Sequence, residues 1–243
     1  MLDNELVLGG YLKMDYDTQN IENKVYKELK HAILTKQFYP NYKLVEATIA
    51  EKLGVSRTPV RSAFKKLAYE GLVNIIPRKG AFIAQPTIEE FMQIYSSRLI
   101  LEKEAAILAA KQMTAVDLDF FKQLLEEEKE SYQKRDFEKF IATNNKIHML
   151  IAEASKNRYF IKFINELLTK SNIYLVFYDQ FYTKPLEELN SVKEHGQLFK
   201  AIKAGDSYKS GQAMEQHIKS IFENLELTIS ERMNPFHNSI STL

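Results

Sequence analysis

The sequence predicts a mostly α-helical protein in two parts: three helices closed by a small β-hairpin, then a long all-helical half. Three observations predict it. Apolar residues recur every three or four positions through most of the chain, two short β-like stretches flank a single basic turn, and the charge changes sign along the sequence. The formal net charge of +1 hides this last feature. Residues 1–18 carry −3, residues 19–86 hold 12 Lys and Arg against 5 Asp and Glu, and residues 87–243 hold 20 against 23. A basic segment fused to a slightly acidic one points to a polyanionic partner for the first part alone, and a solvated basic face is the bland alternative.

Each element follows in order. Residues 1–18 read as a tail broken at Gly9-Gly10. Ile21, Val25, Leu29 and Ile33 recur every fourth residue and predict a helix ending near Lys36. After a turn at Pro40-Asn41, a short helix carries Ile49, Ala50 and Leu53 and stops at Gly54. Ser56 is placed to cap the next helix, Pro59 falls in its first turn, and the stripe Val60, Phe64, Leu67, Ala68 leads to Gly71. Leu72–Ile76 and Ala81–Ala84 then form a hairpin with the basic tip Pro77-Arg78-Lys79-Gly80. Pro86 marks a boundary. Thr87-Ile88-Glu89-Glu90 is a capping box opening a helix to about Lys111, and Thr114 opens another to about Arg135. Helical patterns continue over 136–155, 157–182, 186–204 and 207–230, the last two divided by Gly205-Asp206. No strand pattern follows Phe91, and residues 232–243 read as a second tail. The domains are thus 19–86 and 87–231.

Gly54-Val55-Ser56-Arg57-Thr58-Pro59-Val60-Arg61 lies between two short amphipathic helices, where a helix-turn-helix keeps its turn and the start of its reading helix. Arg57 and Arg61, four apart, share a face and can fork onto guanine O6 and N7. The Ser56 and Thr58 hydroxyls and the free N–H groups of the helix start suit phosphates, and Lys65 and Lys66 extend the positive side. Arg78, Lys79 and Gly80 can follow the backbone or enter the minor groove. In these residues, and in the Gly71-Leu72 strand, Arg78-Lys79-Gly80-Ala81 strand order, residues 19–86 closely resemble the winged helix-turn-helix of GntR-type regulators. Two departures stand out: Ala47 occupies a position where such proteins often carry arginine, and Pro40-Asn41 stands for the usual Pro-Gly. One winged helix reads only a half-site, so a homodimer on double-stranded operator DNA is expected.

In the second half, three helical stripes each include a histidine. His148 lies among Phe137, Phe140, Ile141, Ile147 and Ile151, His195 among Val192, Leu198, Phe199 and Ile202, and His217 among Met214, Ile218, Ile221 and Leu225. Asn144 sits one turn before His148. Buried imidazoles need partners. Three imidazole nitrogens and a carbonyl oxygen suit a borderline divalent ion such as Zn²⁺ or Ni²⁺, while hydrogen-bonded core histidines are the plain alternative. Arg98, in the stripe Phe91, Ile94, Leu101, Ala105, would favour a small carboxylate effector beside that metal. Tyr174, Tyr178 and Tyr182 could line its pocket or simply belong to the core.

Residues 87–230 also resemble the FCD ligand-sensing domain of one GntR branch, in Arg98 and Glu102, Asn144 through His148, Glu194-His195, Ala201 through Asp206, and Met214 through His217. The resemblance implies a bundle of six or seven helices, an effector site including Arg98 and Glu102, and a metal held by Asp-x3-His with two later histidines. Here Asn144 replaces that aspartate, which lowers the expected ligand charge. Two other classes compete. A metal-dependent hydrolase would need a base, for which Glu102 and Glu194 are the candidates, but no H-E-x-x-H arrangement exists. A helical half serving only for dimerisation would carry an inert core. The regulator reading, not an enzyme, is the expectation. Absent cysteine, no signal-peptide pattern and no run of the ~18 apolar residues a membrane span needs favour a cytoplasmic, membrane-free setting.

Overall fold

The computed structural model describes residues 18–178 and 190–233, with side chains over 21–178 and 190–224. Most of the two expected tails, and Tyr182, lie outside the described residues. The chain divides into two compact units, Met1–Pro86 and Thr87–Leu243.

The first unit is built from α1 (Thr18–Leu34), β1 (Lys43–Leu44), α2 (Glu46–Leu53), α3 (Arg57–Tyr69), β2 (Val73–Ile76) and β3 (Gly80–Ile83). The apolar stripe of α1 packs on α3, and Val25, Leu29 and Ile33 of α1 and Val60, Phe64 and Leu67 of α3 are all buried. Gly54 ends α2 in the left-handed region at φ 64°, and its N–H reaches back to carbonyls of the last turn. The expected two-stranded hairpin belongs to a three-stranded sheet ordered β1-β3-β2, in which β3 is the central strand. β1 pairs antiparallel with β3, Lys43 opposite Phe82 and Leu44 opposite Ala81. Two residues are too few to show alternation, so β1 leaves no periodic signal. Ser56 takes the N-cap position of α3 with extended backbone, but its hydroxyl makes no capping bond, contrary to expectation.

The second unit contains, among the described residues, six helices and no strand: α4 (Ile88–Gln112), α5 (Ala115–Gln133), α6 (Phe137–Ala154), α7 (Arg158–Tyr178), α8 (Asn190–Lys203) and α9 (Ser207–Met233). α4 touches α6, α7, α8 and α9 and is the axis of the bundle. Its buried stripe runs Phe91, Ile94, Tyr95, Arg98, Glu102, Ala105, Ala106, Ala109, with small residues at the far end. Thr114 and Asp117 form a full capping box on α5, and Asp206 caps α9 through the Lys209 N–H at 3.0 Å. At α4 only half the expected box forms. The Thr87 hydroxyl accepts from the Glu90 N–H at 3.2 Å, but the Thr87 N–H is given to the Tyr174 hydroxyl, also at 3.2 Å, which returns a bond to the Thr87 carbonyl at 2.9 Å. No described helix is long and apolar enough to cross a membrane.

Candidate functional site

α3 divides its residues cleanly. Pro59, Val60, Ala63, Phe64 and Leu67 are buried, which turns Ser56, Arg57, Thr58, Arg61 and Lys65 outward. Arg61 is not free of the protein: its Nε donates to Glu46 Oε2 on α2 at 2.7 Å. That bond engages Nε and not the two Nη groups, the fork that can read a guanine. Glu46 gave no signal in the sequence, because its partner lies 15 residues on and on another helix. Lys66, by contrast, donates to Asn23 Oδ1 at 2.8 Å and lies over the Tyr26 ring, so it serves the α1–α3 contact. In the wing, Ile76 faces Gly80 in register and the Lys79 N–H bonds the Ile76 carbonyl at 3.1 Å. This tight closure puts Arg78 at φ 64° and Gly80 at φ 106°. Arg78, Lys79 and Gly80 are all exposed.

The second site lies inside the bundle. His148 of α6, His195 of α8 and His217 of α9 converge with one ring nitrogen each, all three within 4.8 Å of one another. Their ring centroids stand 4.4 to 5.3 Å apart. All three are essentially inaccessible to solvent. Each turns its Nδ1 outward to a different carboxylate: His148 to Glu102, His195 to both oxygens of Glu128 at 2.9 and 3.0 Å, and His217 to Glu194 at 2.9 Å. A carboxylate on Nδ1 selects the Nδ1–H tautomer and leaves the Nε2 lone pair facing inward. His148 Nε2 and His217 Nε2 face each other at 3.3 Å, and His195 Nε2 has no hydrogen-bond partner.

Arg98 and Glu102, four apart on α4, continue this network. Arg98 Nε donates to Glu102 Oε1 at 2.6 Å and Nη1 to Ser171 at 3.4 Å, while Nη2 is buried without a partner. Burial pushes the Glu102 carboxyl up, but the Arg98 charge and His148 overcome it and hold it at about 2. Burial holds the His148 imidazole below its ordinary range, against the pull of Glu102. Burial, helped by its two neighbouring imidazoles, pushes His217 much further down. Both are therefore neutral near pH 7, the state in which imidazole binds metal.

Glu102, expected to meet the effector, is occupied on both oxygens by Arg98 and His148. Tyr174 spends its hydroxyl on Thr87, and burial pushes that hydroxyl up to about 12, so it stays a donor. Tyr178 is buried in α7. Asn144 is buried one turn ahead of His148, its amide nitrogen donating to Asn145 at 3.4 Å. Glu128 escaped sequence reading because it sits in the run Glu126-Glu127-Glu128-Lys129-Glu130, which looks solvated. The signal was its spacing from Phe121 and Leu124, which places it on the buried stripe of α5.

The histidine donor set fits a metal. Two nitrogens on one tetrahedral Zn²⁺, each at about 2.0–2.1 Å, lie about 3.3 Å apart, which matches the His148–His217 separation. The unpartnered His195 Nε2 would supply a third donor, and the three outer carboxylates are of the kind that partners metal-bound histidine.

The profile described as "Bacterial regulatory proteins, gntR family" matches residues 21–83, and that of the FCD domain matches residues 93–220. The chain belongs to the GntR family. It carries a GntR helix-turn-helix followed by an FCD domain. Among its relatives, the uncharacterized HTH-type transcriptional regulator YdhC of Bacillus subtilis is 29% identical over 82% of this chain and 86% of its own length. The HTH-type transcriptional repressor RspR of Escherichia coli is 26% identical over 90% of this chain and 95% of its own. The solved structure of Escherichia coli McbR/YncC matches with a TM-score of 0.67 at 23% identity, over 89% of this chain and all of that one. A GntR regulator from Rhodococcus matches at 0.66 with 21% identity, over 85% and 98%. These two likenesses show the fold. The relatives are transcriptional regulators, and this member of the family is a regulator rather than an enzyme.

Proposed function

We propose that this GntR-family protein is a cytoplasmic, dimeric, ligand-responsive regulator. Two winged helices bind a pseudo-palindromic operator, and a small carboxylate bound beside a metal in the helical unit changes the operator affinity. The observation that carries the reading is the trio of inward Nε2 atoms, each backed by its own carboxylate, next to a buried guanidinium with one nitrogen unpaired. His148, His195 and His217 would hold a divalent ion, Zn²⁺ or Ni²⁺ by donor type, with Asn144 as a weaker fourth ligand. Bound there, the metal supplies a positive charge to which a carboxylate can coordinate.

The protein's own residues do the rest. Glu102 locks Arg98 and His148 together, so it orients the site rather than touching the effector. Arg98 presents its free Nη2 as the hydrogen-bond donor for an incoming carboxylate. Burial keeps water from competing for that bond. On the DNA side, Arg57 and Arg61 read bases, Ser56, Thr58 and Lys65 meet phosphates, and Arg78, Lys79 and Gly80 follow the backbone or minor groove. The uncapped Ser56 hydroxyl supports this role, since it is not committed within the helix. The effector acts only to the extent that it binds one arrangement of the bundle better than another.

The test is elemental analysis of gently purified protein. It is followed by operator titration of the metal-loaded dimer with a panel of small mono- and dicarboxylates. Stoichiometric metal and a carboxylate-dependent shift in operator affinity are expected. Metal-free protein that also fails to take up added Zn²⁺ or Ni²⁺ would return the histidines to the core.

A further inference from the structure

The three carboxylates around the histidines are not equivalent. Glu102 is matched by the Arg98 guanidinium at 2.6 Å, so the pair is close to neutral as a unit. The Glu194 side chain keeps contact with solvent at 12% exposure, and burial pushes its carboxyl up. Glu128 has neither relief. It is fully buried, both its oxygens lie on one His195 nitrogen, and no Lys or Arg among the described residues pairs with it. A carboxylate in that position is costly without positive charge nearby. The imidazole it grips is the one whose opposite nitrogen, Nε2, is buried without a partner.

The ligand set has the complementary deficit. Three neutral imidazoles and the Asn144 amide bring no charge to a dication in a water-poor interior. A carboxylate hydrogen-bonded to Nδ1 raises the basicity of Nε2 and places its own charge one imidazole away from the ion.

We propose that Glu128, acting through His195, supplies the negative charge that the neutral ligands of this metal site lack, so that metal affinity rests on this positioning residue more than on Asn144. The proposal rests on the metal reading above and goes beyond it by naming where the site keeps its charge. Glu128 also fixes the ring of His195, and Glu128→Gln separates the two roles. The amide oxygen still accepts from Nδ1–H while the charge is gone.

The experiment is a Zn²⁺ titration of the full-length protein in competition with a chromophoric chelator, with circular dichroism of each metal-free variant as a fold control. Glu128→Gln should weaken Zn²⁺ binding by about 10–100-fold, the usual range for an outer carboxylate. Asn144→Ala should weaken it by less than about threefold, well below that range. Asn144→Asp should raise Zn²⁺ affinity more in the Glu128→Gln background than in the wild-type protein, a non-additivity that a merely structural role for Glu128 would not give. Wild-type affinity in Glu128→Gln, or an equal gain from Asn144→Asp in both backgrounds, overturns the proposal while leaving the metal site standing. A loss in Asn144→Ala of tenfold or more overturns it too, and this arm holds even if Glu128→Gln fails to fold. Wild-type protein that binds no Zn²⁺ at all overturns the metal reading itself, and the proposal with it.

Discussion

The two units bury different things. Among the described residues, every buried polar or charged side chain lies in the helical unit, beginning with Arg98, whereas the DNA-binding unit closes on apolar side chains alone. The first unit keeps its charges outside, where a polyanion can meet them. The second spends stability to hold Arg98, Glu102, Glu128 and three histidines in its interior. Buried ionic groups of this kind add little net stability over a well-packed apolar core, and they are strongly destabilising when one partner is removed. The difference separates a surface that needs only exposure from a site that needs an interior.

Arg98→Met breaks this contrast most severely, because it strands Glu102 in the core. It should cost about 3–5 kcal/mol of stability, read by urea denaturation of the metal-free protein. A loss below about 1 kcal/mol would mean that the pair is far better hydrated than its burial implies.

His195→Ala should lower metal affinity by more than about 100-fold, beyond the range of an outer-partner change, and abolish any carboxylate response. Operator binding without effector should survive, because the altered residue belongs to the other unit. Loss of basal operator binding would show that the histidine cluster is needed for the fold of the protein.

At the DNA surface, Arg57→Ala or Arg61→Ala should cost about 1–3 kcal/mol at the operator and relax base preference. Lys79→Ala should instead weaken binding to all sequences alike and flatten its dependence on salt. Affinity measured against operator and scrambled DNA at several salt concentrations separates the two behaviours.

Acid should loosen the helical unit first. His148 and His217 are held below their ordinary range, so the unfolded chain takes up protons more readily than the folded one as pH falls through about 6.5. Their contribution is present above that pH and lost below it. Glu102, held at about 2, adds a second loss below about pH 4.5 with the same sign. Hydrogen exchange on metal-free protein between pH 7 and 5 should show protection falling in α6 and α9 before α1 and α3.

The smallest effect is expected at Glu46→Ala. The Glu46–Arg61 pair is exposed, so its removal should cost less than about 1 kcal/mol of stability. The change should show instead as reduced discrimination among operator variants, read by competition binding.

The two units also differed in how plainly they could be read. The DNA-reading helix is local: Gly54, Ser56 and Pro59 set its start within six residues, and the alternation of buried Val60 and Phe64 with exposed Arg61 and Lys65 follows from one helical period. The sheet was legible only where strands were long enough to alternate, so β1 was missed. In the bundle, the helices and the three inward histidines were legible from their stripes. Their partners were not, because Glu102, Glu128 and Glu194 reach them across 46, 67 and 23 residues of sequence. Periodicity tells which face a residue shares, not which neighbour that face will meet. Glu128 shows the cost most clearly, a core residue inside an acidic run.

Thr87 is the first residue of the helical unit, and both its N–H and its carbonyl are tied to one hydroxyl, that of Tyr174 on α7. The point where the chain enters the bundle is therefore fastened to α7 as well as to its own helix. Both bonds meet at one oxygen, so they act as a hinge pin: the peptide groups on either side of Thr87 can turn about that oxygen, but they cannot slide away from it. Any displacement of α7 past the start of α4 must carry that entry point with it or give up both bonds at once.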